Sequence, residues 1–360
     1  MYVHGHYEYV LKLLLYITPA TTIKQGKNMG RKKNHNQHSH NKKNHSNESR
    51  RQYSLAAILF VLILALLFAP DFKTVRDSIA NNLPSFQKQQ EVKKGGLSQM
   101  QVHFLDVGQG DATLITCGSH SMLIDAGNNN KGTAIQDTLQ HLGITELDYI
   151  IGTHPDADHI GGLDVIITKF PSKALLMPDY EKDTKTYDEV IRAASYRHLK
   201  MIHPKAGAAY QLGDASFTIL GPVKKYSSAN DNSICLLLQH GENRFLFTGD
   251  AEEEAESDML ASWKDLSADV YKVPHHGSKT ATTEAFFDKV CPIYAVISCG
   301  QDNSYGHPNA EVLNRLRSSS VQMFRTDDQG TITASSNGTN ITFNLAPSDN
   351  WTPGEPRGKK

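Results

Sequence analysis

The stretch from Met100 to about residue 346 predicts an α/β (α+β) body, with two mixed β-sheets packed face to face and helices outside. Three observations predict it. Short apolar runs recur in two series, each broken by glycine-rich turns, as strands do. Segments of helical spacing fall between those runs, which is the alternation of a layered α/β fold. The hydrophobic set makes up 39% of the 360 residues and the charged set 21%, so a core is available and wholesale disorder is excluded. The same composition excludes a polytopic membrane protein and a collagen-like fibre.

In chain order, QVHFLDV (101–107), ATLITC (112–117) and SMLIDA (121–126) are three strand-like runs. Residues 132–142 have helical spacing, and LDYIIGTH (147–154) is an apolar strand ending in polar residues. The second series opens with SICLLLQH (233–240), turns over Gly241-Glu242-Asn243 and returns as RFLFTGD (244–250), a hairpin. AEEEAESDMLASW (251–263) is a helix whose acidic start suits the positive end of its dipole. ADVYKVPHH (268–276) and IYAVISCG (293–300) are further strands. No short repeat period is present.

The net charge of −1 conceals a division. Residues 1–97 hold 15 Lys and Arg against 5 Asp and Glu, whereas residues 98–346 hold 19 against 31, a balance of −12. A basic leader (1–53, with Met29 as an alternative start) precedes the uncharged 15-residue run Leu55 to Ala69. A basic flank before an apolar segment is an export pattern, and the flank stays cytoplasmic. Residues 54–70 therefore read as a transmembrane signal anchor or signal peptide, short of the roughly 20 residues of a usual span. The body is then expected outside the cytoplasm, membrane-anchored or secreted. His35, His38, His40 and His45 lie in a polar, lysine-rich tract that reads as a solvated tail. Residues 71–99 read as a linker and 347–360 as a C-terminal tail. Cys117, Cys235, Cys291 and Cys299 are too widely spaced for a disulfide scaffold or a CxxC zinc module, so they read as ordinary thiols, mostly buried.

The candidate functional residues all stand just past strand ends, where loops converge. His154-Pro155-Asp156-Ala157-Asp158-His159, followed by Gly161-Gly162, packs two imidazoles and two carboxylates into six residues. Such a donor set suits Zn²⁺ or Mn²⁺. His154 and Asp156, on an extended turn, can serve one ion while Asp158 and His159 face another. Asp250 ends RFLFTGD, where a carboxylate either bridges two ions or caps the helix that follows. His275 and His276 end the next strand; neighbours on an extended chain point oppositely, giving one ligand and one residue facing substrate. His307, just before a helix, can donate a proton or contact a phosphate, or be structural.

Together FLDVGQGDATLI, LIDAG, THPDADHIGG, NDNS, FLFTGDAE, KVPHHGS and YGHP resemble the metallo-β-lactamase fold superfamily. In detail they are similar to the C-terminal hydrolase domain of ComEC-type DNA-uptake competence proteins. The likeness covers roughly residues 100–345. It implies an αββα sandwich and two divalent ions, Zn or Mn. His154 and Asp156 would hold one ion, Asp158 and His159 the other, and Asp250 would bridge them. One of His275 and His276, preferentially His276, would complete the second site. Asp156 stands where most members carry a histidine. The usual third histidine has no counterpart, and Asp231 is the substitute, or else the head of an Asx turn. Asp106 and Asp111, beside Gln109 and Gly110, would order the site rather than ligate. Asp158, His275 and His307 are the catalytic candidates; Asn232, Ser233, Ser278, Asn303 and Tyr305 are the substrate-side ones.

The implied mechanism is attack on phosphorus by a hydroxide held between the ions, with His307 or His275 protonating the leaving oxygen. ComEC-type proteins carry a multi-span channel region; with a single apolar segment this chain reads as a stand-alone relative of their hydrolase domain. Three functions follow. The first is an extracytoplasmic phosphodiesterase or nuclease acting on a phosphodiester, DNA included. The second is a metallo-hydrolase of another ester or amide, such as a cell-wall phosphorylcholine ester, a lactone or a β-lactam. The third is an accessory module without turnover. The acidic body shows no basic patch with interleaved aromatics, so a short substrate is as admissible as long duplex. Oligomeric state is not legible.

Overall fold

A computed structural model describes residues 96–356. The leader 1–53, the 54–70 anchor, nearly all of the 71–99 linker and residues 357–360 lie outside the described residues. Among the described residues no helix is long and apolar enough to cross a membrane.

The apolar runs of the first series become β1 (Met100–Phe104), β2 (Thr113–Cys117) and β3 (His120–Ile124), an antiparallel meander. Helix α1 (Gly132–His141) crosses to β4 (Leu147–Ile151), which runs parallel to β3. Helices α2 (Ala157–Ile160) and α3 (Leu163–Lys169) lead to β5 (Ser172–Leu176), and α4 (Lys185–Tyr196) leads to β6 (Met201–Ile202). Both strands extend the sheet in parallel.

The second sheet begins as a meander of β7 (Ala209–Leu212), β8 (Ala215–Gly221), β9 (Cys235–His240) and β10 (Asn243–Phe247). It then adds β11 (Val270–Lys272), β12 (Tyr294–Ile297) and β13 (Gln322–Arg325) in parallel. Between them run α5 (Glu253–Ser262), α6 (Glu284–Val290) and α7 (Ala310–Ser318); a short α8 (Thr326–Gln329) follows. The chain returns to the first sheet through β14 (Ile332–Ser336) and β15 (Ile341–Phe343), antiparallel beside β1. The orders are β15-β14-β1-β2-β3-β4-β5-β6 and β13-β12-β11-β10-β9-β8-β7, two mixed sheets as the sequence predicts.

Burial follows the strand period of two. Val102, Phe104, Ile115 and Met122 of the first sheet meet Phe217, Ile219, Leu236 and Phe245 of the second in the central core. Phe104 and Phe247 stack across it with ring centroids 6.2 Å apart. Losing a fully buried ring such as Phe104 would cost about 3–5 kcal/mol. The opposite faces carry helices: Leu114, Leu123 and Ile150 pack on Ile135, Leu163 and Ile166, while Leu246, Tyr271 and Ala295 pack on Met259, Phe286 and Leu313.

Residues 347–356, expected as a tail, pack against this body. Ser348 N donates to Met323 O, and the buried Arg325 donates from Nη1 to Asn350 O and Thr352 O. Gly354 N then reaches Pro308 O at 2.9 Å. All four cysteines are free; Cys117, Cys235 and Cys299 are buried and Cys291 is exposed.

Candidate metal centre

Strands β3, β4, β10, β11 and β12 all end toward one rim of the sandwich, the place where loops in α/β sheets gather ligands. Asp125 follows β3, His154 follows β4, Asp250 follows β10, His276 follows β11 and Ser298 follows β12. What these loops bring together is set by Asp250, whose Oδ2 faces four imidazole Nε2 atoms. They lie at 3.2 Å (His159), 3.6 Å (His276), 3.8 Å (His275) and 4.0 Å (His154). Asp158 Oδ2 sits 3.3 Å from His276 Nε2. Candidate ligand atoms of Asp111, His159, Asp250 and His276 all lie within 4.8 Å of one another.

The outer ring nitrogens explain why the inner ones converge. His159 Nδ1 lies 2.8 Å from Asp125 Oδ2, and Asp125 is itself held by Thr153 through N–H and hydroxyl donors. His276 Nδ1 meets Ser298 O at 2.9 Å, His275 Nδ1 meets Glu252 Oε1 at 3.0 Å, and His154 Nδ1 lies between the hydroxyls of Thr153 and Ser233. Each acceptor fixes a tautomer that turns Nε2 inward, the support that metal-binding histidines require. The Nε2 atoms of His154, His159 and His276, with Asp250 Oδ1 and Asp111 Oδ1, are buried without a hydrogen-bond partner. Unsatisfied buried polar atoms are costly, and divalent cations held among them would relieve that cost. The residues fit a metal ion.

Electrostatics agree. Burial opposes charge on Asp250, yet the surrounding imidazoles outweigh it and hold the carboxyl well below its usual range. Burial likewise opposes a charged His159, but Asp250 and Asp125 overcome it and raise its pKa. His154 follows burial and is pushed down to about 4.

Several sequence expectations change. His275 and His276 do not lie on extended chain: their φ values of 48° and 54° curl the backbone left-handed, so both Nε2 atoms face Asp250. Left-handed backbone at non-glycine residues costs of order 1 kcal/mol each, and here it sits at the site. Asp156 is outside the cluster; its Oδ1 accepts from Lys182 Nζ at 2.6 Å. Asp231 is outside too, because Oδ1 accepts the amides of Glu252 and Ala255 at the start of α5. Asp111, expected only to order the site, is among the cluster's candidate ligands, with Oδ2 on Lys272 Nζ at 2.8 Å.

Asp106 is exposed and accepts Gly108 N, closing a turn. Asn232 is buried and bonds the backbone of Tyr226 and Ser228, while Ser233 Oγ accepts Asp250 N; neither lines the cleft beside Asp158. Ser278 closes a turn with Thr280. Asn303 and Tyr305 do line a cleft of about 500 Å³ beside Asp158. The Asn303 side chain fastens the backbone of His307, whose ring lies 5.4 Å from that of His275. Burial, then His276 and His275, push His307 down to about 4, so it is neutral near pH 7.

Sequence reading missed Asp125, Glu252 and Lys272. Asp125 ends an apolar strand inside LIDAG, and Lys272 interrupts an apolar strand, both legible signals. Glu252 stands in an acidic run that hides it.

The match to the Metallo-beta-lactamase superfamily model spans residues 105–300. The chain belongs to the metallo-β-lactamase superfamily. It is 32% identical to ComE operon protein 3 of Bacillus subtilis over 254 residues, 65% of this chain and 33% of that one. It is 33% identical to Recombination protein 2 of Haemophilus influenzae over 60% of this chain and 26% of that one. It is 28% identical to Competence protein ComA of Neisseria gonorrhoeae over 63% of this chain and 31% of that one. The chain spans a third or less of each of these relatives. They bear out the resemblance to the competence hydrolase domain.

Proposed function

We propose that this chain is an extracytoplasmic, binuclear metal-dependent phosphodiesterase or nuclease. One observation carries the hydrolase part: four imidazole Nε2 atoms converge on Asp250 Oδ2, each ring fixed by a second acceptor. The phosphodiester part is supported by relatives named for competence and recombination.

His154, His159, His275, His276 and Asp250 would hold the ions, with Asp111 and Asp158 in reach. Divalent ions held there supply a water acidic enough to attack near neutral pH and charge for the phosphoryl oxygens. The protein's own residues do the rest. Asp125, Glu252 and the Ser298 carbonyl hold the rings in register. Neutral His307, whose Nδ1 is buried without a partner, offers the leaving oxygen a hydrogen bond rather than a full positive charge. The export-type leader supports the location outside the cytoplasm.

The test is hydrolysis of bis(p-nitrophenyl) phosphate, single-stranded DNA and nitrocefin by the full chain, with Zn²⁺, Mn²⁺ or chelator. Metal-restored cleavage of the first two is expected. Nitrocefin cleavage alone would replace the reading with a β-lactamase.

A further inference from the structure

We propose that residues 347–356 are a positioning strap for His307, laid on the body so that Gly354 fixes the His307–Pro308 backbone and, through it, the ring that faces the leaving oxygen. This rests on the phosphodiesterase reading and adds to it the part of the chain that aims its donor.

The strap is seated along its length. At α8, Gln329 Nε2 donates to Ala346 O at 2.8 Å and Asp328 Oδ2 accepts from Ser348 Oγ at 2.7 Å. Arg325, only 3% exposed, is the central fastener. Its Nε and Nη2 hold the two carboxylate oxygens of Asp327, and its Nη1 donates to the carbonyls of Asn350 and Thr352 at 2.8 and 2.7 Å. A buried guanidinium is costly unless its donors are used, so the two strap carbonyls complete what Asp327 begins. Between those carbonyls Trp351 packs on the core that holds Leu316 and Met323, with Arg317 5.8 Å above its ring.

The far end of the strap meets the loop between β12 and α7. Gly354 N donates to Pro308 O at 2.9 Å. A Cβ on Gly354 would collide with the His307 carbonyl, and the Gly354 backbone lies outside the left-handed region, so glycine is required there for closeness alone. Pro356 then closes on Gly306, where a Cβ would lie 2.8 Å from the proline ring. From the body's side, Asn303 Nδ2 donates to His307 O, and Asn309 N donates to Gly277 O at 2.8 Å. The His307–Pro308 backbone is thus gripped by the body and by the strap.

The ring needs that grip. His159, His275 and His276 are each oriented by an acceptor near Nδ1, whereas His307 Nδ1 is buried with none. The His307 ring stacks on Tyr305, with centroids 5.6 Å apart, and Tyr305 is itself 63% exposed. Its aim is therefore set by where its backbone is held. A misplacement of about 1 Å in such a group costs up to about a hundred-fold in rate.

In hydrolysis the water oxygen forms a bond to phosphorus, and the bond from phosphorus to the ester oxygen breaks. The electron pair stays on that ester oxygen, where the His307 N–H donates, and the water's proton passes to solvent. The more basic the leaving oxygen, the more it depends on that donor.

The experiment measures kcat on diphenyl phosphate and on bis(p-nitrophenyl) phosphate for the full chain with its metal. Nitrophenolate leaves with little help and phenolate needs the donor, so the ratio of the first kcat to the second reads the His307 contact and cancels general damage. Gly354→Ala should lower that ratio about ten-fold and leave the metal content of the dialysed protein unchanged. Trp351→Ala, which loosens the seat rather than the contact, should lower the ratio in the same direction. In a His307→Ala background neither strap substitution should lower it further, because the group being positioned is gone. A ratio unchanged in both strap variants, an equal further fall in the His307→Ala background, or loss of metal from Gly354→Ala overturns the strap while the phosphodiesterase reading stands. A wild type that cleaves only the nitrophenyl diester lacks a donor at the leaving oxygen and also overturns the strap alone. A wild type that cleaves neither diester overturns both.

Discussion

At the Asp250 end of the cleft, His154, His159, His276 and Asp250 are buried, and the rings of His159, His275 and His276 are each tied to a second acceptor. At the Tyr305–Lys182 end, side chains are half-buried or exposed, and only single contacts such as Lys182 to Asp156 hold them. The first end has high internal order and many unsatisfied lone pairs aimed inward. The second is polar and solvated. The two ends are built from different material, and lesions should separate: metal content and kcat should respond at the buried end and much less at the open one.

The largest effect is expected from Asp250→Ala, because that carboxylate is the common neighbour of all four imidazoles. Metal content, measured on the dialysed protein, should fall, and kcat on bis(p-nitrophenyl) phosphate should drop about 10³-fold or more. A variant that keeps its metal and most of its kcat would break the account of the buried end.

Next comes stability. Glu256 on α5 is fully buried and its two carboxylate oxygens accept Thr282 N and Thr283 N, so it anchors the loop that follows His275 and His276. Burial raises its pKa from 4.5 to about 7. A raised carboxyl pKa means the folded state holds its proton more tightly than the unfolded state. That contribution is complete below about pH 4.5 and is lost as pH rises to about 7, an amount on the order of 3 kcal/mol. Glu256→Gln removes the titration, so its stability deficit relative to wild type should shrink by about that much between pH 4.5 and 8 in urea unfolding. A deficit that does not change with pH would show that the carboxyl titrates normally.

The fold and half the site were legible in the sequence because the signals were local. HPDADH places His154 on the loop after β4 and Asp158 and His159 on the short helix α2 that follows, and the strand periods give the two sheets. Strands β5, β6, β7, β8 and β13 were not recognised; β6, β7 and β13 span only two to four residues, and β14 and β15 complete a sheet begun over 200 residues earlier. Asp231 was misplaced for a similar reason: a carboxylate that caps a helix and one that binds metal look alike until the distance is known. The His275–His276 pair was misread because a left-handed turn at two non-glycine residues has no sequence mark. Glu252 was invisible for want of any local contrast.

Asp125→Asn sharpens the comparison at the next level down. It keeps the shape but takes the negative charge from the His159 Nδ1 contact, and metal affinity should weaken by about 10–100-fold in a competition titration. Asp156→Asn, on the same motif as two cluster residues, should change metal affinity by less than about three-fold, because its partner is a half-exposed lysine. If Asp156→Asn weakens metal as much as Asp125→Asn, Asp156 is a ligand when metal is bound, and the line between the two ends moves.

The smallest effect concerns the residue where the two ends meet. His307 stacks on Tyr305 on one side and approaches His275 and His276 on the other. Burial and those imidazoles hold it near a pKa of 4, so at pH 7 it donates from a neutral ring. A neutral donor can be replaced in part by an amide. His307→Gln should therefore lose about ten-fold in kcat while His307→Ala loses about a hundred-fold. A charged general acid could not be replaced by an amide, and the two variants would then lose equally. The pair of kcat values at pH 7 thus decides whether the leaving oxygen meets a hydrogen bond or a proton.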